Sequence, residues 1–342
     1  MPTTGSTAGP NGAPARTATP TLHRIPSTDL DVSGLCYGVM QFNARVRGDE
    51  MRALYRMYRA AGGNFFDTAH AYNFWMKTGG PGESERGLGE CLKAFGDRDK
   101  VVIATKGGHP DFTPGYPRPD DYLSPESIAS DVSDSLERLG IDYIDVYLLH
   151  RDDPRRTVAS IMDGLNAQVA RGRVRYLGAS NWAIPRIEEA NAYAAARGLS
   201  GFVIAQQQWS LAESNDPYPL NLRGPDPTCY RLNDADVAWH TRKGFPVMAY
   251  TATAFGYFGE NPGKNAPHYE NAISRGRRDR AAKLGRELGG FSANQIALAY
   301  LRSHPFPAFP ILGTMHPEHL ADALGALAIT LTDAQRTWLR DG

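Results

Sequence analysis

Four residues with complementary chemistry stand where apolar, strand-like runs end. Residues 64–67 finish on Asp67, and Tyr72 follows five residues later in a loop. The run at 101–105 ends at Lys106, and the run at 144–149 ends at His150. In a parallel barrel the C-terminal strand ends form one face, and that face carries catalysis. Taken singly, the Asp reads as a turn residue and the other three as ordinary packing or solvated side chains. Together they form an acid–base set. Reduction of a carbonyl needs a hydride donor beside the carbon and a positioned acid beside the oxygen. A free phenol, with a pKa of about 10, is a weak acid near neutrality, and a nearby ammonium favours its ionised form. Lys106 is the candidate ammonium and Asp67 its compensating charge. His150 can orient the carbonyl oxygen. Tyr72 is then the acid in reduction and, as phenolate, the base in oxidation.

A metal-dependent hydrolase also places its ligands at strand ends, but such sites favour several histidines, often as a His-x-His pair. Only His70 and His150 are well placed for that, while His109 lies beside Gly107 and Gly108 in a loop. No metal is expected. The chain has 342 residues, with 42% hydrophobic and 22% charged residues, enough for a large core. Lys+Arg and Asp+Glu both number 37, so no global field favours nucleic acid or an anionic membrane surface. The three cysteines, Cys36, Cys91 and Cys229, have no metal-like spacing and suggest a reducing compartment. There is no signal-peptide core and no 18-residue apolar run, so a cytoplasmic protein is expected.

The elements that must position these residues follow one rhythm. Residues 1–20 read as a disordered tail, and 21–342 as one domain. A small hairpin spans 22–30, and 35–40 is the first barrel strand. Asp49 can cap a helix with Met51, Leu54, Tyr55 and Tyr58 on one face. Strands at 64–67, 101–105, 143–149, 174–179, 202–206, 245–250 and 309–312 alternate with helices to the end. Prolines 217, 219, 225 and 227 punctuate an irregular stretch after the sixth strand, and Thr332 starts a terminal amphipathic helix. Eight alternations without a GxGxxG turn predict a single α/β domain, a (β/α)8 TIM barrel with an N-terminal hairpin and a C-terminal extra helix.

The order Asp67, Tyr72, Lys106, His150 resembles the catalytic tetrad of the aldo-keto reductases. The words around it fit as well: Gly82-Glu83-Ser84-Glu85, Ala104-Thr105-Lys106, Leu148-Leu149-His150-Arg151, Gly178-Ala179-Ser180-Asn181-Trp182 and 311–320. The likeness runs from about residue 22 to the C-terminus, and it implies that the hairpin plugs the barrel. It also implies that Ser180, Asn181 and Gln206 hold a nicotinamide carboxamide, with Tyr250 stacked on its ring and Thr251 opening the adjoining loop. Gly313, Thr314, His319 and Asp322 would serve the adenosine end. The family often has a basic residue for the 2′-phosphate, but here Met315 and His319 stand in that region and Ala323 replaces the usual Asn. NADP(H) is the implied cofactor, with NAD(H) as the rival. Met40, Trp182, Trp209, Phe255 and Tyr257 are candidate pocket residues, with polar contacts from Arg151, Asp152, Asp153 and Arg223. They suit a small-molecule carbonyl or sugar. The loop at 72–82, with Trp75, Met76 and Lys77, is a candidate wall. The family also includes nucleotide-binding subunits of potassium channels, so a redox sensor with little turnover is the alternative. No assembly is specified.

Overall fold

A computed structural model describes residues 21–74, 80–111, 115–221, 224–260 and 264–342. The expected tail at 1–20, Trp75, Met76, Lys77 and Arg223 lie outside the described residues. Strands β1 (Leu22–Arg24) and β2 (Asp31–Ser33) pair antiparallel, with Leu22 opposite Ser33. Thr28 locks their turn, its hydroxyl donating to Ile25 O and accepting from Leu30 N–H. The next six strands are β3 (Cys36–Gly38), β4 (Phe65–Asp67), β5 (Val102–Gly107), β6 (Ile144–Leu149), β7 (Val174–Ser180) and β8 (Phe202–Gln208). A two-residue pair, β9 (Leu220–Asn221) and β10 (Gly224–Pro225), sits in the proline-punctuated stretch. Strands β11 (Val247–Tyr250) and β12 (Ala308–Leu312) complete a closed parallel barrel in the order β11-β12-β3-β4-β5-β6-β7-β8.

Among the described residues ten α-helices accompany the strands: α1 (Gly48–Ala60), α2 (Glu83–Phe95), α3 (Pro125–Leu139), α4 (Val158–Ala170), α5 (Ile184–Arg197), α6 (Asp234–Lys243), α7 (Ala272–Glu287), α8 (Ala293–Arg302), α9 (Pro317–Gly325) and α10 (Asp333–Asp341). Ser124, Thr157, Asn233, Asn271, Ser292 and Thr332 cap their helices with side-chain acceptors. Asp49 does not cap. Arg47 holds that position, and Asp49 lies in the first turn of α1, where an acid suits the positive end of the helix dipole. No helix among the described residues is long and apolar enough to cross a membrane.

Side chains alternate along a strand, so every second residue points into the barrel. Cys36, Phe65, Val102, Ala104, Val146, Leu148, Ile204, Met248 and Phe309 fill the interior, and Ile25, Leu30 and Val32 from the hairpin close it from below. Two larger clusters occupy the layer between strands and helices. Stepping two residues on from Phe65, Ala104, Leu148, Ile204 and Met248 gives Asp67, Lys106, His150, Gln206 and Tyr250. The apolar floor thus sits one layer beneath a polar one.

Candidate functional site

Asp67 ends β4 and Lys106 lies in β5, and both are buried, at 2% and 1% exposure. Lys106 Nζ donates to Asp67 Oδ1 at 2.8 Å, Asp67 Oδ2 at 2.9 Å and Thr68 O at 2.6 Å, and it lies 3.0 Å from Tyr72 OH. The partly exposed Tyr72 ring meets His150 edge-on, with centroids 5.7 Å apart. His150 follows β6, and its backbone N–H donates to Gly107 O at 2.7 Å. The four predicted residues therefore meet at one point of the barrel mouth.

Their protonation follows from these contacts. Burial lowers the Lys106 pKa, but Asp67 and Tyr72 outweigh it, and the net shift is upward. Burial raises the Tyr72 phenol, and Lys106 recovers only part of that rise. From the sequence alone, Lys106 is expected to bring this phenol down. In the folded site desolvation wins, so the phenol is protonated at neutral pH. Burial, together with His109, Arg151 and Lys106, pushes His150 well below the usual histidine range, so its ring is neutral.

Gln206 donates from Nε2 to Asp67 Oδ1 at 2.8 Å, across the barrel. Asn181 has a left-handed backbone, with φ of 61°, and all four hydrogen-bonding positions of its amide are in use. Its Nδ2 donates to His150 O at 3.1 Å and Ser180 Oγ at 3.1 Å, while its Oδ1 accepts from Tyr250 OH at 2.8 Å and Tyr230 N–H at 3.0 Å. Thr251, also left-handed at φ 55°, begins the loop after β11. Gly313 and His319 are exposed and Thr314 partly so, with Thr314 O accepting from Tyr37 OH at 3.0 Å. Asp322 braces α8 against α9, its Oδ2 accepting from Asn294 Nδ2 at 2.8 Å.

The candidate pocket residues divide. Met40 is partly exposed in the loop after β3. Trp182 is fully buried in the strand–helix layer, against Phe202 and under Arg186, and presents no face to the mouth. Trp209, which follows the end of β8, also turns outward, packing on Phe306 and His304. Tyr257 is buried in the same outer layer, and Phe255 packs on Tyr269. Arg151 is buried and committed to its neighbours: it donates to His150 O at 2.8 Å and Thr228 Oγ1 at 3.0 Å, and reaches Asp226 at 3.5 Å. Asp152 pairs with Arg186, and Asp153 pairs with Arg155, the latter two lining a surface cleft.

His109 lies next to the site although its loop position argued against it. The left-handed Gly108, with φ of 68°, turns the chain back, and the His109 ring meets His150 edge-on at 4.7 Å. The adjacent glycines were the available signal. His70, which looked well placed for a metal, instead bonds Tyr116 OH at 2.6 Å and Asp134 at 2.9 Å. Among the described residues, no group of three or more His, Cys, Asp or Glu side chains is arranged to hold a metal.

The model of the Aldo/keto reductase family matches residues 34–340. The chain belongs to this family. As an aldo-keto reductase it is an oxidoreductase of the NAD(P)-dependent kind that acts on carbonyl groups. It is 33% identical over 89% of its length to an uncharacterized oxidoreductase, YrpG, of Bacillus subtilis, covering 90% of that protein. An aryl-alcohol dehydrogenase [NADP(+)] of Phanerodontia chrysosporium is 30% identical over 82% of this aldo-keto reductase and 72% of its own length. Norsolorinic acid reductase B of Aspergillus parasiticus is 30% identical, with 93% and 84% covered. The fold also matches a thermostable aldo-keto reductase solved with the inhibitor epalrestat, at a TM-score of 0.69 and 20% identity, over 93% of this chain and 98% of that one.

Proposed function

We propose that this aldo-keto reductase reduces an aldehyde or ketone, with Tyr72 giving the proton to the carbonyl oxygen, NADP(H) as the preferred nucleotide and a sugar-derived carbonyl as the substrate class. One observation carries the reading: the Asp67-held Lys106 Nζ lies 3.0 Å from Tyr72 OH. An ammonium has donors and no lone pair, so the phenol oxygen accepts from it and the phenol proton is left for a guest. As the carbonyl oxygen gains charge it takes that proton, and the ammonium stabilises the phenolate left behind. The neutral His150 donates from an imidazole N–H to the same oxygen and orients it.

The bound nucleotide supplies the hydride. The nicotinamide end suits the residues present: Tyr250 offers a partly exposed ring fixed through its hydroxyl, and among the described residues no group donates to Gln206 Oε1. Tyr250, Gln206 and Ser180 would hold the ring and its amide. Asn181, with its amide fully used, contributes by tying His150 to Tyr250. Thr314 and His319 would serve the adenosine phosphate, while Asp322 has one oxygen already engaged. The NADP(+) in the name of the fungal relative supports NADP(H). The lack of any Lys or Arg between 313 and 323 supports NAD(H) as the second reading.

For the substrate, the closed polar network of Arg151, Asp226 and Thr228, tied to His150 O through Arg151, makes that flank of the site polar, which supports a hydroxylated carbonyl. The outward turn of both tryptophans removes the aromatic platform that the sugar reading used, and the aryl-alcohol relative favours an aromatic aldehyde as its rival. Partners are then small molecules, with neither nucleic acid nor membrane.

The test is Tyr72→Phe, with NADPH and NADH titrated by tryptophan quenching and reduction assayed on sugar-derived and aromatic aldehydes. We expect wild-type turnover, retained nucleotide binding in the variant, and reduction down at least about 100-fold, the lower range for a general acid. Reduction near the wild-type level in the variant overturns the mechanism. Tight nucleotide binding without turnover of any carbonyl by the wild type would make the redox-sensor reading the better one.

A further inference from the structure

We propose that Glu85, with Thr105 and Arg138, is a positioning device that fixes the height and angle of Tyr72 against Lys106. The inference rests on Tyr72 as proton donor but concerns residues that do not touch the reacting atoms. Glu85 is 0% exposed in the first turn of α2, in the layer outside the barrel. One carboxylate oxygen accepts from Thr105 Oγ1 at 2.7 Å, and Thr105 immediately precedes Lys106 in β5. The other accepts from Arg138 Nη1 of α3 at 3.3 Å. The same Arg138 nitrogen donates to His70 O at 3.2 Å, and its partner nitrogen lies 3.5 Å from Asp134, which also holds His70 Nε2 at 2.9 Å. His70 lies two residues before Tyr72, and its N–H donates to Lys106 O at 2.8 Å. One carboxylate therefore grips the Lys106 strand and, through one guanidinium, the segment that carries Tyr72.

The start of α2 grips that segment twice more. Gly82 N–H donates to Tyr72 O at 3.1 Å, at a left-handed φ of 84°. A Cβ on Gly82 would stand 2.5 Å from the Arg138 side chain, so a larger residue at this left-handed position would strain the backbone and displace Arg138. Ser84 Oγ bonds Thr68 Oγ1 at 2.7 Å and Val39 O at 2.9 Å, and Thr68 O in turn accepts from Lys106 Nζ. A buried ion pair is a poor source of net stability, because desolvating both charges offsets their attraction. Apolar residues of the same volume would pack this layer equally well. What they would not supply is a directional link between two adjacent strand ends. Proton transfer depends on that direction, since small misplacement of a catalytic group costs orders of magnitude in rate.

The experiment compares Glu85→Gln and the nearly isosteric Thr105→Val with wild type and Tyr72→Phe, in the presence of saturating nucleotide. We expect both positioning variants to keep nucleotide affinity and substrate KM within about threefold. We expect kcat to fall about 10- to 100-fold in Glu85→Gln and less in Thr105→Val. A solvent deuterium isotope effect on kcat should be larger than in wild type, because a misplaced phenol makes proton transfer limiting. The double variant should cost less than the sum of the singles, since both act on one link. Wild-type kcat in folded Thr105→Val and Glu85→Gln overturns the proposal. So does a parallel loss of nucleotide affinity and kcat, which marks a merely structural role. If Glu85→Gln does not fold, unchanged kcat and isotope effect in Thr105→Val overturn it alone. If Tyr72→Phe itself stays active, the proton-donor reading fails, and this inference fails with it.

Discussion

The Lys106–Asp67 pair sets the behaviour of the site because both partners are nearly inaccessible to water. Lys106 is held above the usual lysine range, so it stays charged through neutral and mildly alkaline pH. A raised amine pKa stabilises the fold at pH values below the ordinary lysine pKa and ceases to do so only as pH rises through the folded value. Tyr72 is also raised and His150 lowered, so none of the three changes charge between pH 6 and 9. We expect kcat for reduction to be flat across that range at saturating nucleotide, and an ionisation near pH 7 would contradict the assignment of protonation states. Lys106→Met leaves Asp67 buried without a counter-charge. We expect a loss of about 3–5 kcal/mol in urea unfolding, the usual consequence of breaking a buried pair.

At the scale of elements, helix ends are where this fold uses charge. The last carbonyls of a helix have no intrahelical donors and need a cap. In α10 two arginines of α7 supply it: Arg277 Nε donates to Arg340 O at 3.0 Å, and Arg280 donates to Leu339 O at 3.1 Å and Arg340 O at 3.0 Å. Arg277 also reaches Leu211 O at 2.9 Å and Glu213 at 3.0 Å, linking the terminal helix to the segment after β8. We expect Arg277→Met to lose about 2–3 kcal/mol, from the buried Leu211 carbonyl left unsatisfied and the lost charge-assisted bonds. Amide hydrogen exchange should accelerate across 333–341 before the rest of the chain. Exchange unchanged in α10 would show that its apolar contacts alone hold it.

For the molecule as a whole, acid stability is set by histidines that fold in neutral form. Burial lowers His109 to about 3 and His304 to about 4, and it places His150 well below its usual value. Below pH 6.5 the unfolded chain takes up protons at these positions and the folded chain does not, so stability falls as pH falls. Each such histidine costs up to about 1.4 kcal/mol per pH unit in that window. The carboxylates that lie below their usual range, such as Asp134 and Asp153, act only at lower pH. We therefore expect urea midpoints to drop between pH 6.5 and 4.5, and His304→Asn to flatten that slope. An equal slope in wild type and variant would exclude His304 as a contributor.

The chain order alone carried the barrel and its four central residues. The period of two in each strand, and the position of a polar residue one step past an apolar one, are local properties. They survive folding because strands keep their alternation, which is why Asp67, Lys106, Gln206 and Tyr250 all point inward as their spacing implies, with His150 directly after the end of β6. Past the strand ends the alternation stops, and direction is decided by turns and packing. Gly108 brings His109 to His150, and Asn181 at φ 61° stands between the inward Ser180 and a Trp182 that enters the outer layer. The segment around Asp226, Thr228 and Tyr230 reaches the site from a stretch with no periodic pattern, held by Arg151 and Asn181. The sequence determined which chemistry is present and on which face of the barrel it lies. The tertiary structure decided which side chains are already engaged and where the proton rests, because desolvation depends on neighbours far apart in the chain.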